Sequence, residues 1–394
     1  MNNLNTHHER LLLHISGQDR PGILAEVLQT LHQQELQLLD VQQITTLGQL
    51  GLSILVDVTP EHGLSVIRHL GRLLHHRGLS IDFLVLDPDE IPVAHTPLHL
   101  TYLAPEVKAE ALSALVQEIA AMHLNVERIN WVSRQPLQCI EMTLTQNPSQ
   151  ALCLEDIRPR LFAVALAHQF DLGIQEENLS RRAKRLVVMD MDSTLIQQEV
   201  IDEIAAEAGL KDQVAALTEK AMRGELDFEA ALHERVALLK DLPVSALDNV
   251  KSRIQLTPGV EYLVSTLKGL GYKLAVVSGG FTYFTDAVRK SLELDYSFAN
   301  TLEIQDGKLT GRLTGDIVDR AAKARILRTI AQAQGIPLEQ TVAVGDGAND
   351  LDMLQAAGLG IAFNAKPAVK EQAGAFLSQP GLDTVLYLLG IRDF

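Results

Sequence analysis

The chain reads as an α/β protein whose second half is a mainly parallel, doubly wound sheet carrying a helical insert, preceded by two smaller α+β blocks. Three observations carry this reading. Apolar runs of strand length, Leu186-Val187-Val188-Met189, Lys273-Leu274-Ala275-Val276-Val277 and Thr341-Val342-Ala343-Val344, each end in a polar loop and alternate with helical segments. That is the pattern of a buried parallel sheet with helices on both faces and ligands outside the carboxyl ends of its strands. Ahead of them lie two stretches of similar length with the same order of strand and helix signals. With 394 residues, 46% of them hydrophobic, the chain can fill two or three separate cores.

In chain order, the first block has strand signals at Leu11 to Ile15, a loop from Ser16 to Gly22, and a helix from Ile23 to about Gln34, started by Pro21. Strands follow at Leu36 to Thr45 and Leu52 to Val58, then a helix at Leu64 to Arg77 and a strand at Ser80 to Leu86. The second block restarts at Leu98 to Tyr102, with a helix from about Val107 to Met122, strands at Asn125 to Val132 and Cys139 to Thr145, and a helix near Leu154 to Phe170. Each block is β-α-β-β-α-β or nearly so, the ferredoxin-like order, and the repetition suggests an internal duplication. The expected division is residues 1–92, 93–180 and 181–394. The junction, Glu176 to Arg185, ends in the basic run Ser180-Arg181-Arg182-Ala183-Lys184-Arg185 and reads as a solvated link rather than an RNA-binding patch. Beyond it, residues 200–257 read as a helical insert, and Asp306-Gly307 within Leu302 to Leu313 marks a hairpin interrupting the alternation.

Charge and cysteine usage narrow the function classes. Lys and Arg number 34 against 50 Asp and Glu, a net charge of −16, which disfavours nucleic acid or an anionic membrane as partner because both require a basic footprint. Two cysteines, Cys139 and Cys153, without metal-ligand spacing, fit reduced thiols in the cytoplasm. The segment Met1 to Arg10 lacks an apolar core, and no run reaches the roughly 18 apolar residues of a membrane span. The expectation is a soluble, untargeted chain. His75 and His76 are adjacent, point apart on a helix and read as surface residues.

The chemistry concentrates at the ends of the three apolar strands. Asp190-Met191-Asp192-Ser193-Thr194 places two carboxylates one residue apart where strand meets loop. Like charges held close separate in pKa, so one stays an anion while the other holds a proton. Those are the requirements for attack on a phosphate ester with departure of an alcohol. Ser278-Gly279-Gly280 offers a hydroxyl and a backbone that can approach an anion closely. Lys323, near the start of a helical segment from Arg320 to Gly335, offers a fixed positive charge, unless it is an ordinary exposed helix lysine. Gly345-Asp346-Gly347-Ala348-Asn349-Asp350 ends the third strand in further carboxylates, hard oxygen donors that suit Mg²⁺.

The order D-x-D-S-T, S-G-G, K, G-D-G-x-N-D resembles the haloacid dehalogenase-like superfamily of phosphohydrolases and phosphotransferases over residues 184–394, and so a Rossmann-like sheet with a helical cap. Within the insert, Glu199 and the segment Leu226 to Val236, with Phe228 and Arg235 two helical turns apart, are similar to phosphoserine phosphatases. An arginine pairs a carboxylate and a glutamate an ammonium, so the two could read the charged ends of an amino acid. On the insert alone, Arg235 reads rather as a surface ion pair with Glu234 or Glu229 and Phe228 as a core aromatic; behind the four motifs the substrate reading leads. Asp19-Arg20-Pro21-Gly22-Ile23-Leu24 resembles the ACT domain, which often binds amino acids between paired copies. Asp19 and Gly22 are thus a candidate amino-acid site, weighed evenly against a purely structural turn. The second block has Ala104-Pro105-Glu106 at that place and is expected to scaffold or dimerise.

The resemblance implies Mg²⁺-dependent hydrolysis of O-phospho-L-serine to L-serine, the last step of serine biosynthesis. Asp190, ionised, would attack phosphorus and form an aspartyl-phosphate. Asp190, the backbone carbonyl of Asp192 and Asp346 would hold Mg²⁺. Asp192, its pKa raised by the neighbouring carboxylate, would serve as acid and then base. Ser278 and Gly279 would bind phosphate oxygens and Lys323 would balance charge. Asp350 would orient Lys323 or the metal shell, and Asn349 would contact phosphate or a metal-bound water. A homodimer and an amino-acid effector follow from the ACT resemblance. Two rivals stay open: a phosphatase or phosphotransferase for another small phosphorylated metabolite, and an amino-acid-sensing regulator.

Overall fold

The structure is a computed structural model that describes residues 9–86, 97–146, 151–222 and 227–391. The chain forms two compact units, residues 1–94 and 95–394. Among the described residues, no helix is long and apolar enough to cross a membrane.

In the first unit β1 (Glu9–Gln18), β2 (Gln37–Thr46), β3 (Gln49–Val58) and β4 (Ser80–Leu86) form an antiparallel sheet in the order β2-β3-β1-β4. Alternate residues of β1 and β3, among them Leu11, Leu13, Leu52 and Ile54, share one core with Val27 and Leu31 of helix Ile23–Gln33 and Val66 and Leu70 of helix Pro60–His76. This is the ferredoxin-like arrangement expected. Two boundaries differ. Helix Ile23–Gln33 is capped by Gly22 at φ 95°, a left-handed conformation that costs glycine little, so Pro21 lies before the helix rather than starting it. The second helix begins at Pro60, earlier than expected, because a proline in the first turn loses no helical hydrogen bond. His75 and His76 are exposed.

The second unit is built on one eleven-stranded sheet. Its strands are β5 (Leu98–Ala104), β6 (Leu124–Ser133), β7 (Gln138–Gln146), β8 (Asp171–Glu176), β9 (Leu186–Met189), β10 (Lys273–Phe281), β11 (Tyr296–Gln305), β12 (Lys308–Thr314), β13 (Thr341–Gly345), β14 (Leu359–Phe363) and β15 (Ala375–Leu377). They lie in the order β12-β11-β10-β9-β13-β14-β15-β8-β5-β7-β6. From β11 to β15 neighbouring strands are parallel, and the apolar runs of β9, β13 and β14 are buried throughout. The hairpin falls where expected: β12 returns antiparallel to β11 through Asp306 and Gly307, at φ 52° and 73°. The insert is helical, with helices Val200–Glu207, Lys211–Met222, Phe228–Leu238 and Val244–Arg253.

The second block does not stand apart from this sheet. β8 pairs antiparallel with β15 through Gly173↔Ala375 and Leu172↔Phe376, which covers an edge that three-residue β15 would otherwise leave open. The expected solvated link is also built in. Leu179–Arg182 forms a short helix, Arg181 and Lys184 are buried, and Arg181 Nε pairs with Glu177 at 2.7 Å. The desolvation of two basic side chains is offset here by local acceptors, a compensation that composition could not reveal.

Close backbone packing behind β14 places a specific demand on sequence. A Cβ at Gly360 would lie 2.2 Å from the carbonyl oxygen of Leu354, held within helix Leu351–Ala356. Gly360→Ala is therefore expected to destabilise the second unit by about 1–3 kcal/mol. Chemical denaturation of the two proteins checks this, and an unchanged midpoint would contradict the packing argument.

Candidate active site

Because the strands are parallel, their carboxyl ends share one edge, and the loops leaving them converge there. Asp190 follows β9, Gly279 lies in the last turn of β10, and Asp346 follows β13. Together with Asp192, Asn349 and, from the insert, Glu199, Phe228 and Arg235, they line a cavity of about 660 Å³. Ser278, Lys323 and Asp350 are fully buried behind its wall.

Lys323 ties the site together. Its ammonium lies 2.9 Å from Asp190 Oδ1 and 2.6 Å from Asp350 Oδ1, and only 1% of the residue is exposed. It is not the exposed helix lysine that was the alternative. Asp319 caps helix Arg320–Ala333 by accepting from Ala322 N at 2.7 Å, which sets the first turn from which Lys323 projects. Burial pulls the Lys323 pKa down, but Asp190 and Asp350 outweigh it and hold the group protonated, above its ordinary value. Both oxygens of Asp350 are engaged: Oδ1 takes Lys323 and Oδ2 accepts from Gly347 N at 3.0 Å. In Asp190, Met191 N and Lys323 both reach Oδ1.

One carboxylate oxygen each of Asp190, Asp346 and Asp350 lie within 4.8 Å of one another. Burial and then Asp350 push the Asp190 pKa well above the usual carboxylate range, despite Lys323. Burial, Asp350 and Glu199 raise Asp346 to about 7, although Thr194 Oγ1 donates to its Oδ1 at 3.3 Å. Three clustered acids share a single ammonium, so the cluster is short of positive charge. Hard oxygen donors in surplus fit a divalent cation such as Mg²⁺.

Asp192 is raised to about 6, and here the cause differs from the expectation. Burial acts first and Glu199 second, rather than Asp190. Its carboxylate accepts from Val200 N and Ser278 Oγ, each at 2.9 Å. Ser278 Oγ in turn accepts from Gly280 N at 2.8 Å, so this hydroxyl orients Asp192 and the glycine turn together.

In the insert, Arg235 is half-buried, and its Nε donates to the Ala231 carbonyl at 3.2 Å. Burial lowers its pKa, while the negative charges of Asp202 and Glu199 act against that. The alternative pairing with Glu229 or Glu234 is not what forms, and Glu229 faces His233 at 3.7 Å instead. Phe228 closes over the glycine turn, where a methyl group at Gly279 would come within 3.3 Å of its Cζ. Leu226 lies outside the described residues. In the first unit, Asp19 accepts from Thr45 Oγ1 at 3.0 Å, and Gly22 caps the following helix.

Several residues here were not anticipated. Ser193, at φ 54°, donates to Glu199 Oε1 at 2.7 Å and so links the first motif to the insert. Buried Asn300 donates to the Gly279 carbonyl and accepts from Val318 N, both at 2.8 Å, which ties the glycine turn to the approach to helix Arg320–Ala333. Asn364 and Lys366 line the cavity beyond β14. Positive φ at Ser193 and the Asn300 bridge have no local signature, whereas Asn364 and Lys366 could have been suspected from their place after an apolar strand.

Comparison with known proteins agrees with this geometry. Residues 184–358 match a haloacid dehalogenase-like hydrolase model, and residues 9–84 and 98–175 each match an ACT domain model. The chain is 48% identical over 385 residues to a phosphoserine phosphatase of Streptomyces coelicolor, covering 97% of this chain and 92% of that one. It is 43% identical to a phosphoserine phosphatase of Mycobacterium tuberculosis, covering 97% and 93%. A crystal structure of a haloacid dehalogenase family hydrolase from Salmonella enterica superposes with a TM-score of 0.64 at 32% identity, over 74% of this chain and 98% of that one. With the four motifs gathered at one sheet edge and relatives of this identity along nearly its whole length, the chain belongs to the phosphoserine phosphatase family, a haloacid dehalogenase-like hydrolase preceded by two ACT domains.

Proposed function

We propose that the chain hydrolyses O-phospho-L-serine to L-serine and phosphate, the last step of serine biosynthesis, through an aspartyl-phosphate on Asp190. The observation that supports this most is the buried arrangement of Asp190, Lys323 and Asp350 opening on a cavity that also presents Glu199 and Arg235. Lys323 and Met191 N hold Asp190 by Oδ1, which orients Oδ2 for attack on phosphorus. Asp192, fixed by Ser278 and Val200 N and with its pKa raised to about 6, delivers a proton to the departing serine hydroxyl and then accepts one from the hydrolytic water. The amides of the glycine turn, held by Asn300, receive phosphate oxygens. Arg235 pairs with the substrate carboxylate, Glu199 with its ammonium, and Phe228 shields both from water.

Asp190, Asp346 and the backbone carbonyl of Asp192 are the groups we assign to Mg²⁺, with Asp350 outside because both its oxygens are taken. Mg²⁺ supplies charge neutralisation for an anion attacking an anion. Asn349, on the cavity wall, serves the phosphate or the water around it. For the N-terminal region we propose a homodimer and an amino-acid site near Asp19 and Gly22, on the strength of the ACT matches. A cytoplasmic location fits the two free cysteines.

Phosphate release from O-phospho-L-serine, measured with Mg²⁺ and with chelator beside O-phosphothreonine and a sugar phosphate, tests the function. Fast release from phosphoserine alone, lost on chelation, is expected, and release only from another ester would discard the substrate assignment. Asp190→Asn should abolish turnover while leaving the circular dichroism spectrum intact; substantial residual activity at saturating Mg²⁺ would remove Asp190 as nucleophile. Arg235→Ala loses a charge-assisted pair and should raise KM for phosphoserine about 10- to 100-fold. An unchanged KM would return Arg235 to a structural role.

A further inference from the structure

A second cavity, of about 630 Å³, lies between the second ACT domain and the hydrolase sheet and shares no lining residue with the active site. It is walled by helix Leu154–His168 and β8 on one side and by helix Leu351–Ala356 and β14 on the other. Lys184 precedes β9, Glu339 precedes β13 and Leu359 opens β14, so this cavity sits at the amino ends of the parallel strands, opposite the edge that carries Asp190. An occupant there cannot take part in the chemistry.

The distribution of charge selects the occupant. Arg181 and Lys184 are each only 5% exposed, whereas the acidic residues of the lining, such as Glu155 and Glu176, are exposed at the mouth. Arg158 Nε is buried and has no hydrogen-bond partner among the described residues. An orphaned donor of this kind is costly unless something accepts from it. Lys184 Nζ donates to the Glu339 carbonyl at 2.5 Å, which uses one of its three protons. Burial first and the charge of Arg181 second push the Lys184 pKa down to about 8, against the opposing charge of Glu339. The buried donors of Arg158 and Lys184 thus lie beneath an acidic rim of Glu155, Glu176, Glu339 and Glu371, with Arg181 paired to Glu177.

We propose that this cavity binds a small oxyanion, phosphate or carboxylate, at Arg158 and Lys184 with Arg181 behind them. Helix Leu351–Ala356 begins immediately after Asp350 and meets the cavity through Leu354 and Gln355, so the occupant bears on the element that also positions the partner of Lys323.

The test is isothermal titration calorimetry on the full chain with sodium phosphate and, separately, with sodium acetate and L-serine. Two phosphates per chain are expected if phosphate is the ligand, falling to one in Arg158→Gln, whose active site is intact. An acetate or serine site lost in the same variant, with phosphate unaffected, assigns the cavity to a carboxylate instead. Gln355→Glu, which adds a negative charge at the wall without touching the arginine, should weaken the same site about tenfold and serves if Arg158→Gln folds poorly. Identical stoichiometry and affinity for phosphate, acetate and L-serine in the unaltered chain and both variants would overturn the proposal.

Discussion

Every other feature of the catalytic edge depends on one buried ammonium. Lys323 bridges Asp190 and Asp350 at under 3 Å to each, and with the site closed from water these contacts are electrostatically strong. Without it, two carboxylates would face each other in a low-dielectric wall with no cation between them. With it, Asp190 is held by one oxygen and Asp350 is anchored on both, which fixes the loop between β13 and helix Leu351–Ala356. Asp346, carried by that loop, is thereby brought to the remaining oxygens. The arrangement still leaves one positive charge against three acids, and that imbalance is what makes the edge receptive to a hard cation.

Much of this was legible in the sequence because the motifs are local. Asp190, Gly279 and Asp346 each stand where an apolar strand meets a polar loop, and a parallel sheet brings such ends together without further information. The ferredoxin-like order of both blocks, the helical insert and the Asp306-Gly307 hairpin were likewise set by short-range periodicity and turn chemistry. What escaped was decided across long separations. The burial of Lys323, the burial of Asp192 that, with Glu199 second, raises its pKa, and the Asn300 bridge all depend on residues that no spacing rule connects. The basic junction misled for the same reason: Arg181 and Lys184 look solvated until their acceptors, Glu177 and the Glu339 carbonyl, are seen.

The insert and the sheet both contribute to the cavity wall: Asp190, Gly279 and Asp346 come from the strand ends, and Glu199, Phe228 and Arg235 from the insert. Ser193 links the two by its bond to Glu199, so the first motif and the insert cannot shift independently. A left-handed residue at that position holds the turn in a conformation that the surrounding bonds must maintain.

The pairing of β8 with β15 has a consequence for how the molecule is made. Gly173 meets Ala375 only after about two hundred further residues have been synthesised, so the second ACT domain leaves the ribosome with an edge that its own sequence cannot close. Closure is a non-local event of the kind that slows folding. Until it happens, both β8 and the end of the hydrolase sheet offer free backbone groups to any other chain nearby. For the same reason a hydrolase half begun at residue 181 would expose β15, and its solubility, rather than its chemistry, would set the limit on its use alone.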